Sequence, residues 1–148
     1  MKKFMIIRKA DEETEAGAMP SEQLVSDMMR YNEQLVEAGM MIGGDGLHPT
    51  SNAARIRFHN GAPTVIDGPF TEAKELIAGY TLVQANSRDE VIEWAKRWPA
   101  SDAHGNVQLE IRQVYTVEDF GEAFSPEMRE LEEQLRTRSE ELAKGTNS

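Results

Sequence analysis

The chain has 148 residues, of which 39% are hydrophobic and 28% charged, and its formal net charge is -10. That length suits one globular domain with a core of its own. The acidic balance argues against nucleic-acid binding, because phosphate contacts need a clustered basic face and only Lys2-Lys3 and Arg8-Lys9 come close to one.

No cysteine is present, which excludes disulfides, thiolate nucleophiles and cysteine-based zinc sites. The amino-terminal segment MKKFMIIRKADEE contains a four-residue apolar run, which is too short for the core of a signal peptide. No apolar window reaches the length of a membrane span. We therefore expect a cytoplasmic protein without membrane or nucleic-acid partners.

The first half of the chain predicts a strand, a helix and a second strand. Residues 3–8 are apolar on both faces, as in a central strand, and the polar segment 9–19 is expected to form a loop. A helix is predicted over residues 21–38, with Gly39 as its stop. A short strand over residues 40–42 then leads into a glycine-rich loop. The apolar residues of the helix recur every three or four positions on one face: Leu24, Met28, Tyr31, Leu35 and Ala38.

The second half predicts a hairpin, a strand, a helix and a final strand. The segment 54–70 is predicted to form a hairpin, because apolar Ile56 and Phe58 alternate with polar residues before Asn60-Gly61, a favoured tight-turn dipeptide. A strand over residues 77–85 precedes a helix over residues 87–99, which begins with a serine cap and a capping-box glutamate and ends at a proline. Alternation predicts a last strand over residues 107–115. The residues of the second helix expected to face inward are Val91, Trp94, Ala95 and Trp98.

The order β-α-β-β-β-β-α-β predicts an α+β fold with a ferredoxin-like split βαβ sheet, antiparallel and with an extra β-hairpin. In such a sheet both helices cover one face and leave the other uncovered. Since the second face is partly apolar here, we expect another copy of the chain to cover it, which predicts a homodimer.

Residues 118–148 differ from residues 1–117 and are predicted to form an acidic C-terminal helical extension of the main domain. This segment carries a net charge of -5, half that of the whole chain. Ser125 and Pro126 favour the start of a helix. The helix is expected to be solvated apart from one stripe that could dock on a partner: Met128, Leu131, Leu135, Arg138 and Leu142.

The glycine-rich stretch GGDGLHP does not form a nucleotide-binding motif, because Pro49 occupies the third glycine position and no crossover helix follows. Its Asp45 and His48 are still candidates for ligand binding and acid–base catalysis, although a solvated loop histidine is the alternative. The three histidines lack the spacing of a metal site, so none is predicted, and the sequence identifies no cofactor.

The segment Asp67-Gly68-Pro69-Phe70 is a turn with restricted backbone angles, and ionisable residues follow it directly. A carboxylate, an ammonium group and a phenol near one strand end could bind a polar small molecule or move a proton. A solvated turn is the alternative interpretation. With those above, the catalytic candidates are His48, Asp67 and Glu75, and the ligand-binding candidates are Asp45, Phe70, Glu72, Lys74 and Tyr80.

These motifs resemble the YCII-related, or DGPF-domain, family. The resemblance covers nearly the whole chain and rests on DGPF at Asp67, the charged residues after it, Gly79-Tyr80, EWAKRWP at Glu93 and LEIRQV at Leu109. It implies a dimeric α+β barrel in which two ferredoxin-like sheets face each other. Related barrels include metal-free monooxygenases, lactone isomerases and a dehydrochlorinase, which bind small organic ligands between sheet and helices. Some YCII-like relatives carry a histidine–aspartate pair with the histidine on the first helix, but residues 21–38 contain no histidine, which argues against that mechanism.

Two functional hypotheses follow. The first is a small-molecule enzyme of the isomerase, lyase or cofactor-free oxidation type, with the candidate residues in a cleft. The second is a non-catalytic binding or regulatory dimer whose acidic C-terminal helix contacts another protein.

Overall fold

The computed structural model describes residues 1–146 and has the predicted order of elements. Its strands are β1 (Lys2–Lys9), β2 (Met41–Gly46), β3 (Ala54–His59), β4 (Ala62–Asp67), β5 (Ile77–Ala85) and β6 (Leu109–Gln113). Its helices are α1 (Glu12–Glu15), α2 (Glu22–Glu37), α3 (Arg88–Ala95) and α4 (Pro126–Thr146). Short 3₁₀ turns cover Thr50–Asn52, Ala73–Glu75, Asp102–Gly105 and Val117–Ala123. The chain forms two compact units, Met1–Val114 and a second that begins at Tyr115.

The first unit is built on a four-stranded sheet with the order β2-β5-β1-β6, in which every neighbouring pair is antiparallel. β3 and β4 form a separate hairpin. β1 lies inside the sheet between β5 and β6, as its apolar residues on both faces predict. The predicted ferredoxin-like α+β fold with an extra hairpin is therefore confirmed.

One face of the sheet packs against α2 and α3 and forms the core. Phe4, Val83, Leu35 and Val91 are all buried, with no more than 1% of their surface exposed. The hydroxyl of Tyr31 donates a hydrogen bond of 2.7 Å to the Trp94 carbonyl and so links the two helices. Burial of this phenol raises its pKa to about 12.

The opposite face of the sheet carries Met5, Ile7 and Leu82, which are half-buried, and neither α2 nor α3 packs there. The hairpin is more exposed still, because Ile56, Phe58 and Val65 each expose more than 60% of their surface. The first unit thus has apolar surface that its own helices leave uncovered.

Three predictions for the first half of the chain are wrong in detail. The segment 9–19 is not all loop, because Asp11 caps the short helix α1 and exchanges hydrogen bonds with Thr14. The glycine-rich segment is not a loop either: β2 continues to Gly46, since Gly43–Gly46 pair with residues 79–82 of β5. Ala38 is the C-cap of α2 and is exposed rather than part of its buried face.

The second helix and the last strand are shorter than predicted. α3 ends at Ala95, before Trp98 and the proline. Its cap also differs from a capping box, because the Glu90 carboxylate accepts a hydrogen bond from the Asn86 amide while the Ser87 hydroxyl accepts one from the Glu90 amide. β6 covers five residues of the predicted nine-residue strand.

The second unit contains the predicted C-terminal helix, α4, whose first turn is capped by the Ser125 hydroxyl. Met128, Leu131 and Leu135 lie on one stripe of α4 and are exposed. Within residues 1–146, none of the helices has the length and apolar composition needed to cross a bilayer. The predicted domain boundary at residue 117 stays a prediction.

Candidate ligand-binding cleft

A cleft of about 710 Å³ opens in the first unit between the helix-facing side of the sheet, the start of α2 and the segment 98–104. Its walls are largely apolar and come from Met19, Leu24, Met28, Met41, Leu47 and Trp98. This volume lies within the range of small-molecule sites, which combine apolar walls with a few polar groups.

Glycines form the floor of the cleft. Gly44 and Gly46 of β2 and Gly79 of β5 occupy positions where alternation would direct a side chain toward the helices. A Cβ atom on Gly44 would lie 2.7 Å from the Tyr80 carbonyl oxygen, so the adjacent strand leaves no room for one. A Cβ atom on Gly46 would meet no atom within 4 Å. The cleft therefore exists because this end of the sheet lacks side chains.

Thr81 is the polar residue of the floor. It pairs with Ile6 and Gly44 on neighbouring strands, points toward the helices and exposes only 6% of its surface. No described residue hydrogen-bonds its hydroxyl. Since every fully buried side-chain nitrogen or oxygen in the described part of the chain has a partner, the unpaired Thr81 hydroxyl must reach open space. That space is the cleft.

Arg8 and Asp102 form a buried ion pair at one end of the cleft. The Arg8 guanidinium donates hydrogen bonds of 3.2 and 2.6 Å to the two carboxylate oxygens of Asp102, which also accepts one from the Trp98 indole at 2.9 Å. Burial alone would lower the pKa of Arg8, but the hydrogen bond and charge of Asp102 outweigh it and raise the pKa. Asp11 and the Lys9 carbonyl bind the same guanidinium, so Arg8 is charged and nearly saturated with acceptors.

A left-handed turn follows Asp102 at the edge of the cleft. Ala103 and His104 have φ angles of 50° and 55°, which cost side-chain-bearing residues about 1 kcal/mol or more each. His104 lies 3.1 Å from a carboxylate oxygen of Glu13, and both residues line the cleft. The anchored Asp102 holds this turn in place.

Of the predicted catalytic residues, His48 lines the cleft. Its Nδ1 atom lies 3.2 Å from the Asn52 side-chain amide nitrogen, and the ring is exposed. When that amide donates to Nδ1, the imidazole Nε2 carries the proton.

Asp45 and Tyr80 are brought together, as the prediction of one site for both requires. They are cross-strand neighbours, and the Tyr80 hydroxyl donates a hydrogen bond of 3.2 Å to Asp45. This hydrogen bond raises the pKa of Tyr80. Because Thr81 faces the helices, alternation directs the Asp45 and Tyr80 side chains to the open face, and only their backbone borders the cleft.

The Asp67-Gly68-Pro69-Phe70 turn lies outside the cleft and closes the base of the hairpin. Gly68 packs against the Thr50 carbonyl oxygen, which an added Cβ atom would overlap. The Gly68–Pro69 peptide bond is cis, and the Phe70 amide donates a hydrogen bond of 2.9 Å to the Thr50 hydroxyl. The Arg55 guanidinium stacks 3.8 Å above the Phe70 ring. These contacts give the motif a structural role.

The charged residues after that turn are exposed and do not line the cleft: Glu72, Lys74 and Glu75. Glu72 has a φ angle of 68° and begins the 3₁₀ turn Ala73–Glu75. The structure thus brings Asp45 and Tyr80 together and places His48 at the cleft, while Asp67, Phe70 and this charged turn lie elsewhere.

The sequence motifs did not identify Thr81, Arg8 and Asp102 as cleft residues. One signal was available, since glycines inside a strand often mark a site of close approach. The charge of Arg8 at the end of an apolar strand was a second signal. Within residues 1–146 no group of three or more acidic or histidine side chains could hold a metal ion.

The model of the YCII-related domain matches residues 2–120. The chain belongs to the YCII-related family. An uncharacterized protein of Rhizobium meliloti (strain 1021) is 36% identical over 75 residues, which are 51% of this chain and 60% of that protein. The dehydrochlorinase TftG of Burkholderia phenoliruptrix AC1100, solved with 2,5-dihydroxybenzoquinone and acting on 5-chloro-2-hydroxyhydroquinone, is 18% identical with a TM-score of 0.41. That comparison covers 78% of this chain and 97% of TftG.

Proposed function

We propose that this YCII-like chain is a small-molecule enzyme of the isomerase, lyase or cofactor-free oxidation type, with the cleft as its active site. The supporting observation is the glycine floor, which leaves about 710 Å³ of space beside the unpaired Thr81 hydroxyl and the buried Arg8–Asp102 pair. Convergent polar groups in a concave, mostly apolar site are the usual mark of such enzymes.

His48 is the proposed acid–base residue. It is a predicted catalytic residue that lines the cleft, and Asn52 is placed to fix its tautomer. Imidazole is the side chain that most often transfers protons in enzymes. The roles predicted for Asp67, Phe70, Glu72, Lys74 and Glu75 stay predictions and are not part of this proposal, since these side chains lie away from the cleft.

Solvent-deuterium exchange tests this function even though the natural substrate is not identified. The protein in deuterated buffer is incubated with a panel of carbonyl compounds and phenols, and mass spectrometry detects exchange at carbon. We expect exchange for at least one compound and a loss of about 100-fold in the His48→Gln variant. His59→Gln is the matched control, since His59 is an exposed histidine of the hairpin. No exchange above the protein-free level, or equal loss in both variants, would contradict the proposal.

The proposal includes a homodimer. Met5, Ile7 and Leu82 form an apolar patch on the sheet face that α2 and α3 leave uncovered, and a second copy offers the matching patch. Sedimentation velocity should give twice the 16.6 kDa mass of one chain, and Leu82→Glu should yield monomer. A monomer at micromolar concentration would remove this part of the proposal.

The second candidate function is a non-catalytic module that contacts another protein through α4. The observation in its favour is the exposed stripe of Met128, Leu131 and Leu135 on an acidic helix. A pull-down that loses its partners on deletion of residues 124–148 would favour this function. An unchanged set of partners would count against it.

A further inference from the structure

We propose that the cleft selects an uncharged ligand with an apolar body and one hydroxyl or carbonyl group, and that Thr81 is the residue that hydrogen-bonds this group. The inference rests on the proposed function only in taking the cleft as a ligand site. It adds the chemical class of the ligand and the residue that recognises it.

The burial of Thr81 and its hydroxyl without a partner support a ligand that has one hydrogen-bonding group. Thr81 exposes only 6% of its surface, yet its hydroxyl has no partner among the described residues and reaches the cleft. Water that enters the cleft can satisfy this hydroxyl. A ligand that displaces the water must replace its hydrogen bond or leave a buried polar group unpaired, which is how polar sites reject molecules that lack the matching group. A hydroxyl both donates and accepts, so a ligand hydroxyl or carbonyl can pair with it.

The charged residues around the cleft support an uncharged ligand, because they are already paired with one another. Arg8 is the only Arg or Lys residue among those described as lining the cleft, and its guanidinium already binds Asp102 and Asp11. An anionic ligand would therefore find no Arg or Lys side chain free to pair with it, and it would lie among carboxylates. Those carboxylates are engaged in turn, because Asp102 and Asp11 pair with Arg8 and Glu13 with His104. A cation would gain little from them, which leaves an uncharged ligand.

The walls and floor of the cleft fit a ligand with an apolar body. Leu24, Met28 and Trp98 offer apolar surface opposite the floor, and flexible methionine side chains adapt to ligands of varied shape. Gly46 leaves open space in the floor beside Thr81. An apolar body can therefore lie against the backbone of β2 while its polar group reaches Thr81.

Four probes that share one phenyl ring test the class of ligand: benzyl alcohol, toluene, benzoate and benzylammonium. Each is titrated into the full-length protein, and amide NMR shifts are followed. We expect benzyl alcohol to shift the amides of Gly44, Gly46 and Thr81 and to bind about tenfold more tightly than benzoate or benzylammonium. Equal or tighter binding of benzoate in the cleft would overturn the assignment of an uncharged ligand.

Variants test the role of Thr81. Thr81→Val keeps the shape of the side chain and should weaken benzyl alcohol binding about tenfold while leaving toluene binding unchanged. Thr81→Ser keeps the hydroxyl and should bind benzyl alcohol within about twofold of the natural protein. If Thr81→Val binds benzyl alcohol as tightly as the natural protein does, Thr81 is not the recognising residue.

A blocking variant separates this inference from the proposed function. Gly46→Val places a side chain in the cleft and should abolish binding of all four probes, whereas Gly43→Val, on the other face of the same strand, is the matched control. If Gly46→Val blocks benzoate and the natural protein does not bind benzyl alcohol, the cleft remains a ligand site and the ligand class is wrong. If no probe shifts the cleft amides, the ligand class and the use of the cleft as a binding site both fail.

Discussion

The helix-facing side of the sheet is packed with apolar side chains at one end and open at the other. At the closed end, Phe4 and Val83 pack against Leu35 and Val91, and all four are buried. At the open end, Gly44, Gly46 and Gly79 replace apolar side chains and leave Thr81 facing a cleft. The same antiparallel strands run through both ends, so the size of the helix-facing side chains decides which end is core and which is a site. Four sets of substitutions test this difference.

The largest expected effect is at the buried ion pair of the open end. Asp102→Ala should lower the free energy of unfolding by about 3–5 kcal/mol, because it leaves the Arg8 charge buried without its main partner. The double variant Arg8→Met/Asp102→Ala should lose less stability than the sum of the losses in Arg8→Met and in Asp102→Ala. Urea unfolding measures both, and Glu33→Ala, an exposed change on α2, should stay within about 0.5 kcal/mol. Additive losses would mean that the pair is not coupled.

A matched pair on β5 tests the contrast directly. Val83→Ala should cost about 3 kcal/mol, since it removes fully buried methyl groups and leaves a cavity. Thr81→Ala, two residues away on the same face, should cost less than about 1 kcal/mol, because the hydroxyl has no described partner to lose. Thermal and urea unfolding of both variants provide the measurement. Equal losses would show that the open end is packed like the core.

The floor itself offers a sharper comparison. Gly44→Ala should cost about 2 kcal/mol, because the new Cβ atom would lie 2.7 Å from the Tyr80 carbonyl oxygen and force two strands apart. Gly46→Ala, on the same strand and face, meets no atom within 4 Å and should be nearly neutral. Unfolding midpoints of the two variants check this order. If Gly46→Ala is the more destabilising variant, the floor is not built as described.

The smallest effect concerns the link between α2 and α3 at the closed end. Tyr31→Phe should cost about 1 kcal/mol at neutral pH through loss of the hydrogen bond to the Trp94 carbonyl. Burial raises the pKa of Tyr31 from 10.0 to about 12. Folding therefore favours the protonated phenol, and its contribution to stability is complete below pH 10 and is lost as pH rises to 12. The difference between natural protein and variant should shrink over that window, and a constant difference in unfolding free energy would contradict the assigned burial.

Sequence analysis predicted the fold well because its main signals are local. The spacing of Tyr31 and Leu35 on α2, the alternation along β6 and the Asn60-Gly61 turn each identify an element independently of its neighbours in space. The strand formed by the glycines of β2 was not predicted, for the opposite reason. Glycine has a low intrinsic preference for strands, and these residues form one because β5 lies beside them, a contact between distant segments.

The candidate site was predicted only in part for a similar reason. The Asp67-Gly68-Pro69-Phe70 turn is the most distinctive segment of the chain, yet the contacts of Gly68 with Thr50 make it part of the hairpin base. The open end of the sheet depends instead on which side chains are missing. The strand predicted over residues 77–85 includes Thr81, but only its pairing with Gly44 reveals the open space beside its side chain.

A crystallographic fragment screen tests whether the cleft is the ligand site, because it locates bound molecules of many chemical classes at once. We expect fragments to collect in the cleft, above Gly46 and within hydrogen-bond distance of the Thr81 hydroxyl. Fragments that instead collect at the exposed turn of residues 67–75, with none in the cleft, would contradict it.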